Sequence, residues 1–220
     1  MASAAGAAGA ALLAVAPLRG AGAQMLATPV LQNAFVNPGV TVAANFGSTS
    51  GARSYGLAAA WAPRNARFAL SAGGGAVNPS AAGAPSRATF GARLAVPARQ
   101  FMEGALGVAA FVGLGGASKK EEEGRVTSVP AGVSVGYRRP LGSTRGVSVY
   151  AAPFYVWTRG TAADGSRTTS GLFRVSGGVD LSLASHIGVT LGAESGAEAR
   201  ASDPGPRSAV YGIGLSYAFQ

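Results

Sequence analysis

Along the stretch Tyr211-Gly212-Ile213-Gly214-Leu215-Ser216-Tyr217-Ala218-Phe219, every odd position carries a large apolar or aromatic side chain and every even position carries Gly, Ser or Ala. Successive side chains of a strand point to opposite faces, so this segment has one apolar face and one face of very small residues. The second face of a soluble sheet normally meets water and carries Lys, Glu or Thr. Here it is almost stripped of charge, and the apolar face ends in aromatic rings, which is the pattern of a strand crossing a membrane within a closed barrel.

The same period-two alternation recurs in ten segments. Their outward faces are Val40, Val42, Ala44, Phe46; Tyr55, Leu57, Ala59, Trp61; Phe68, Leu70, Ala72; Phe90, Ala92, Leu94, Val96; and Leu106, Val108, Ala110, Val112, Leu114. Five more follow: Val129, Ala131, Val133, Val135, Tyr137; Val147, Val149, Ala151, Tyr155, Trp157; Phe173, Val175, Val179, Leu181; Ile187, Val189, Leu191, Ala193; and the final segment above. Each is about nine to eleven residues long, enough for a tilted strand to cross a bilayer. The expected fold is all-β: a closed antiparallel up-and-down transmembrane barrel over residues 39–220, of about ten strands, with eight or twelve as alternatives.

The joins alternate in length, as they do in outer-membrane barrels with short periplasmic turns and long external loops. Short joins fall at residues 63–65, 97–100, 139–145 and 184–186; long ones rich in turn formers fall at 74–86, 115–128, 159–170 and 195–207, with 47–52 a shorter exception. Both ends of the barrel then lie on the periplasmic side. Aromatic residues should form two girdles at the headgroup levels. Trp61, Phe68, Tyr137, Tyr217 and Phe219 are assigned to the periplasmic rim, and Phe46, Tyr55, Phe90, Tyr155, Trp157, Phe173 and Tyr211 to the outer rim. A soluble sandwich would instead concentrate bulk at mid-strand.

The opposite parity defines the lumen, which is mostly Gly, Ala, Ser and Thr. It is punctuated by Arg67, Arg93, Glu103, Arg174, Asp180 and Glu194, and these six are expected to pair across the interior, because an unpaired charge in a low-dielectric lumen is heavily penalised. Inward Phe101, Phe111, Tyr150 and Phe154 should fill some of the space, and a ten-stranded barrel is little wider than the eight-stranded kind that side chains fill completely.

Composition agrees with this picture: 48% of residues are hydrophobic and 12% charged, against a usual charged share of roughly a quarter. The 34 glycines suit a crowded, strongly coiled barrel, and the chain has no cysteine. The net charge of +9 comes from arginines scattered at strand ends, which suits membrane rims better than a nucleic-acid surface. Arg64, Arg99, Arg138, Arg139 and Arg145 are placed at the periplasmic rim. Arg53, Arg87, Arg159, Arg167 and Arg207 are placed at the outer rim, within reach of anionic headgroups. The run Lys119-Lys120-Glu121-Glu122-Glu123 reads as the solvated tip of an outer loop.

Before the barrel, the apolar run 11–18 followed by Ala21-Gly22-Ala23 has the form of a secretory signal peptide, residues 1–23, cleaved after Ala23. Residues 24–38 then form a periplasmic lead-in that packs against or plugs the barrel mouth. Catalytic signals are weak. His186, the single histidine, falls in a periplasmic turn without neighbours for base chemistry. Gly73-Gly74-Gly75 lacks the Lys-Ser/Thr of a phosphate loop. No metal, cofactor or nucleophile motif stands out, so no catalysis and no cofactor are expected.

With these features together, the chain resembles the small bacterial outer-membrane β-barrels, the broad family of OmpA-like, OmpX-like and opacity-type proteins, over roughly residues 39–219. Gly214, Tyr217 and Phe219, ahead of Gln220, resemble the terminal signal recognised by the barrel-assembly machinery. The resemblance implies residence in the outer membrane among lipid and lipopolysaccharide, with monomer favoured. It also implies a structural or surface-interaction, adhesin-like role. Two alternatives are a narrow pore for small polar solutes and a soluble lipocalin-like barrel that encloses its apolar face.

Overall fold

The protein is described by a computed structural model, covering residues 33–35, 37–48, 52–65, 67–80, 85–117, 125–161, 165–198 and 209–219. The expected signal peptide 1–23, most of the expected lead-in, the Lys119–Glu123 run and Arg207 lie outside the described residues. Ten antiparallel strands close into one barrel: β1 (Gly39–Ser48), β2 (Ala52–Ala62), β3 (Ala69–Pro79), β4 (Arg87–Phe101), β5 (Leu106–Ala117), β6 (Arg125–Pro140), β7 (Gly146–Thr161), β8 (Arg167–Ser182), β9 (Ile187–Glu198) and β10 (Val210–Phe219). Neighbours in sequence are neighbours in the sheet, and β10 returns to pair with β1, from Val40 opposite Phe219 to Ser48 opposite Tyr211. No strand edge is left along this ring, so every peptide group at membrane depth has an in-barrel partner strand. No helix among the described residues is long and apolar enough to cross a membrane; crossing is by strands.

The parity is that of a barrel turned apolar side out. Leu57 is 70% exposed and Leu215 57%, and Val133, Val149 and Ile213 also face outward, whereas inward Ser134 is at 0%. A lipocalin-like arrangement is thereby excluded, because it would bury those same aliphatic residues. Rings gather at both rims, in the pairs Phe46–Tyr55 at 5.3 Å and Tyr155–Trp157 at 4.7 Å near the loop end, and Tyr217–Phe219 at 4.8 Å near the turn end. Phe68 precedes β3 rather than beginning it, yet its ring meets Trp61 edge-on at 5.7 Å.

Close packing explains particular glycines. A Cβ at Gly171 would fall 1.8 Å from the Tyr155 hydroxyl and one at Gly116 2.7 Å from the Phe90 ring. Outward aromatics thus lie over bare backbone on the neighbouring strand, restoring the apolar cover that glycine cannot supply. Gly73 and Gly75 are not a loop entrance: they sit inside β3, where a Cβ would come within 2.5 Å of Leu57 O and 2.0 Å of Tyr55 O.

Strand ends on the loop side depart from the expected boundaries. β3 continues to Pro79, β5 to Ala117 and β9 to Glu198, β6 begins at Arg125, and β7 and β8 reach Thr161 and Arg167, all inside segments expected to be loop. The apolar alternation stops at the membrane boundary, but the hydrogen-bond ladder runs on above it through Thr, Ser and Gly. At the other end, residues 97–100 belong to β4, and a short 3-10 turn at Met102–Gly104 makes the join. A register shift between Pro97 and Arg99 reverses parity at the base of β4. Phe101 therefore faces outward, 41% exposed, with Arg99 over its ring at 5.0 Å, instead of filling the lumen.

Arginine at outward mid-strand Val133 is expected to reduce the free energy of folding into lipid vesicles by about 2–4 kcal/mol, against about 0–1 kcal/mol at Tyr137 near the turn-end interface. Urea titration of both variants in vesicles measures the difference, and equal losses would contradict the assigned depth.

Candidate functional site: the barrel lumen

Inward positions from all ten strands make the lumen, and many of them at mid-barrel are shielded from solvent. Tyr150 (6% exposed), Phe154 (2%) and Val156 (0%) rise in a column on β7, with Ser128 and Ser134 on β6 both at 0%. Phe111 on β5 meets Phe154 at 5.9 Å between centroids. Glycines opposite make room: a Cβ at Gly132 would stand 2.4 Å from Phe154 Cβ, and one at Gly178 2.7 Å from the Tyr150 hydroxyl. Large rings on one strand and bare backbone on the next interlock, a jigsaw that fills the β5–β8 side of the lumen.

The six expected lumen charges divide. Arg174 and Glu194 form a buried ion pair with side chains 4% and 3% exposed. They lie diagonally on adjacent β8 and β9 rather than across the lumen, since Glu194 pairs in register with Ser176. Asp180 is met by neutral donors: Thr190 donates a 2.5 Å hydrogen bond to Oδ1, and Asn33 Nδ2 donates to Oδ2. Arg93 lies over the Phe111 ring at 3.9 Å and donates to Ser134 Oγ at 3.1 Å. The other two are outside the lumen. Arg67 is exposed in the β2–β3 turn, where its backbone N–H donates to Asn65 Oδ1 at 3.4 Å. Glu103 is exposed in the 3-10 turn with φ 55°, past the register shift that ended the inward parity of β4. Arg87 makes the opposite exchange: expected on the outer rim, it points inward from β4 and is 7% exposed.

The turn end opens into a cavity of about 850 Å³. Its lining includes Arg93 and Asp180 and, at exposed positions, Arg138, Arg139, Arg145 and Glu103. One side is covered by the lead-in. Ala34 is 3% exposed, and the Phe35 ring lies against Gly107 and Gly136. The expectation of a lead-in at the mouth rested on position alone; Asp180 was marked by its charge and parity, but no sequence signal singled out its partner Asn33 or Ser148.

His186 is no isolated turn residue. Its ring stacks on Tyr217 at 5.7 Å and 25°, its Nδ1–H donates to Ala218 O at 2.9 Å, and its own carbonyl accepts from Ala218 N–H at 2.8 Å. It thus brackets the last residues of β10, the strand that carries Gly214, Tyr217 and Phe219. Among the described residues no group of three or more His, Cys, Asp or Glu side chains is placed to hold a metal ion.

No protein-family model and no curated protein matches the chain. Solved structures do. The β domain of the Bordetella autotransporter BrkA aligns with a TM-score of 0.52 at 15% identity, over 83% of this chain and 100% of that one. The translocator domain of the autotransporter NalP from Neisseria meningitidis aligns at 15% identity over 96% and 98%, with a TM-score of 0.48. The Acinetobacter baumannii outer membrane protein Omp33 aligns at 9% identity over 83% and 98%, with a TM-score of 0.39. At these identities the likeness is one of fold, and the fold is that of a bacterial outer-membrane β-barrel.

Removing Arg174 alone, as in Arg174→Ala, leaves Glu194 buried without its cation and is expected to cost about 3–5 kcal/mol, while Arg174→Met with Glu194→Leu should recover most of the loss. Urea unfolding in vesicles reads both. His186→Ala should cost about 1 kcal/mol through the lost side-chain hydrogen bond, seen as a lower temperature for the gel-mobility shift that separates folded from unfolded barrels.

Proposed function

We propose that this outer-membrane β-barrel is a sealed, non-catalytic scaffold whose role lies in anchoring and presenting its loop-end surface. One observation carries the reading: inward side chains at mid-barrel are shielded from solvent, Ser128, Ser134 and Val156 to 0% and Phe154 to 2%. A water-filled channel would wet these positions, and hydroxyls such as Ser134 would be the first to show it. Arg174 is paired with Glu194, Asp180 with Thr190 and Asn33, and Arg93 with Ser134 and the Phe111 ring, which suits a lumen that holds the strands in register.

Above the sealed section the wall is uneven. β6, β7 and β8 are each 16 residues long, against 10 for β1 and β10. The surplus lies at the loop end, where Arg125, Arg159 and Arg167 are exposed beside Thr168 and Thr169. This basic, hydroxyl-rich ridge supports a surface-interaction role over solute transport. It is also where lipopolysaccharide phosphates would first be met.

In planar bilayers the purified protein is expected to give no discrete conductance steps. Phe111→Ala with Phe154→Ala, which removes both rings of the central pair, should produce them. Reproducible steps from the unmodified protein would overturn the sealed reading in favour of a narrow pore.

A further inference from the structure

The lead-in does more than rest against the mouth, because three features of the barrel wall fit it side chain by side chain. Gly107 on β5 and Gly136 on β6 are register partners and together make a flat floor. The Phe35 ring lies on that floor: a Cβ at Gly107 would stand 2.8 Å from Phe35 Cε1, and one at Gly136 3.1 Å from Cε2. The Arg138 guanidinium also lies over this ring at 4.6 Å, held there by a 3.0 Å hydrogen bond from its Nε to Gly104 O. An aromatic ring is thus held between bare backbone and a cation, a slot that favours an electron-rich face.

The second feature is a polar socket. The two N–H groups of the Asn33 amide are both used, one toward Ser148 Oγ at 2.8 Å and one toward Asp180. Asp180 is itself fixed by Thr190. A side-chain amide is the group that supplies two donors in one plane, and the socket offers two acceptors. The third feature is the spacing. Asn33 Oδ1 accepts the Phe35 N–H at 3.3 Å, closing a local turn that sends both side chains into the wall.

We propose that the turn-end mouth is a peptide-recognition seat for an amide side chain followed two residues later by an aromatic ring, filled in cis by Asn33 and Phe35. While it is filled, Asp180 is engaged and the β5–β8 side of the cavity is covered. When it is empty, the seat takes the same peptide in trans. This inference is independent of whether the lumen conducts.

Peptide binding to the full chain in detergent tests it. A fluorescein-labelled peptide Leu-Gln-Asn-Ala-Phe-Val-Asn should bind the Asn33→Ala/Phe35→Ala barrel about tenfold or more tighter than the unmodified protein, whose own segment competes at a high effective concentration. Gel mobility confirms that each variant is folded. Equal or absent peptide binding to the two folded proteins would overturn the proposal. The Asn33→Asp version of the peptide, which sets a carboxylate against Asp180, should not bind; if it binds as well as the parent, the amide socket is wrong.

Discussion

A bilayer core offers a peptide group no hydrogen-bond partner, and the whole molecule answers to that one constraint. A sheet can satisfy it only by having no edge at membrane depth, so β10 must find β1. Once the ring is closed, the side chains have two assignments left: apolar toward lipid, small or paired toward the inside. The alternation of large and tiny residues along each strand is the direct record of this division. The glycines beneath Tyr155, Phe90, Phe154 and Tyr150 show how tightly adjacent strands must interlock once the interior is narrow.

That record made the architecture legible. In the final strand, Ile213 and Leu215 alternate with Gly212, Gly214 and Ser216 so cleanly that the face each one occupies follows from parity alone. Parity failed where it was locally broken. Pro97 has no N–H to give the ladder, and the shift beside it turned Phe101 outward and left Glu103 outside the lumen. Nothing in the spacing of Arg93, Val96 and Phe101 announces such a slip. Strand ends were misjudged for a different reason: apolar alternation reports lipid contact, whereas the backbone ladder of β6 to β8 continues into water.

The lumen was only partly legible. That Arg93, Arg174, Asp180 and Glu194 face inward follows from parity, but their partners do not. A single network was the simplest expectation, yet Arg174 and Glu194 join as opposite charges, while Asp180 engages Asn33 and Thr190, and Arg93 engages Ser134 and the face of Phe111. Neutral hydroxyls and amides can meet a buried charge without bringing a second one to be desolvated, so they compete well for such roles. Ser, Thr and Asn are too common to mark those positions in advance. His186 belongs with them, because its contact with Ala218 and Tyr217 joins a turn to a strand 32 residues away.

The uneven strand lengths also set where this cylinder is mechanically weakest. Along β7 the chain is stitched to sixteen-residue neighbours on both flanks, whereas β10 meets β1 over nine register pairs and β9 over eight. The shearing force that separates neighbouring strands grows with the number of hydrogen bonds loaded together. Under tension the molecule therefore gives way along its last strand, with the imidazole bracket that ties the β8–β9 turn to the foot of β10 as the final catch.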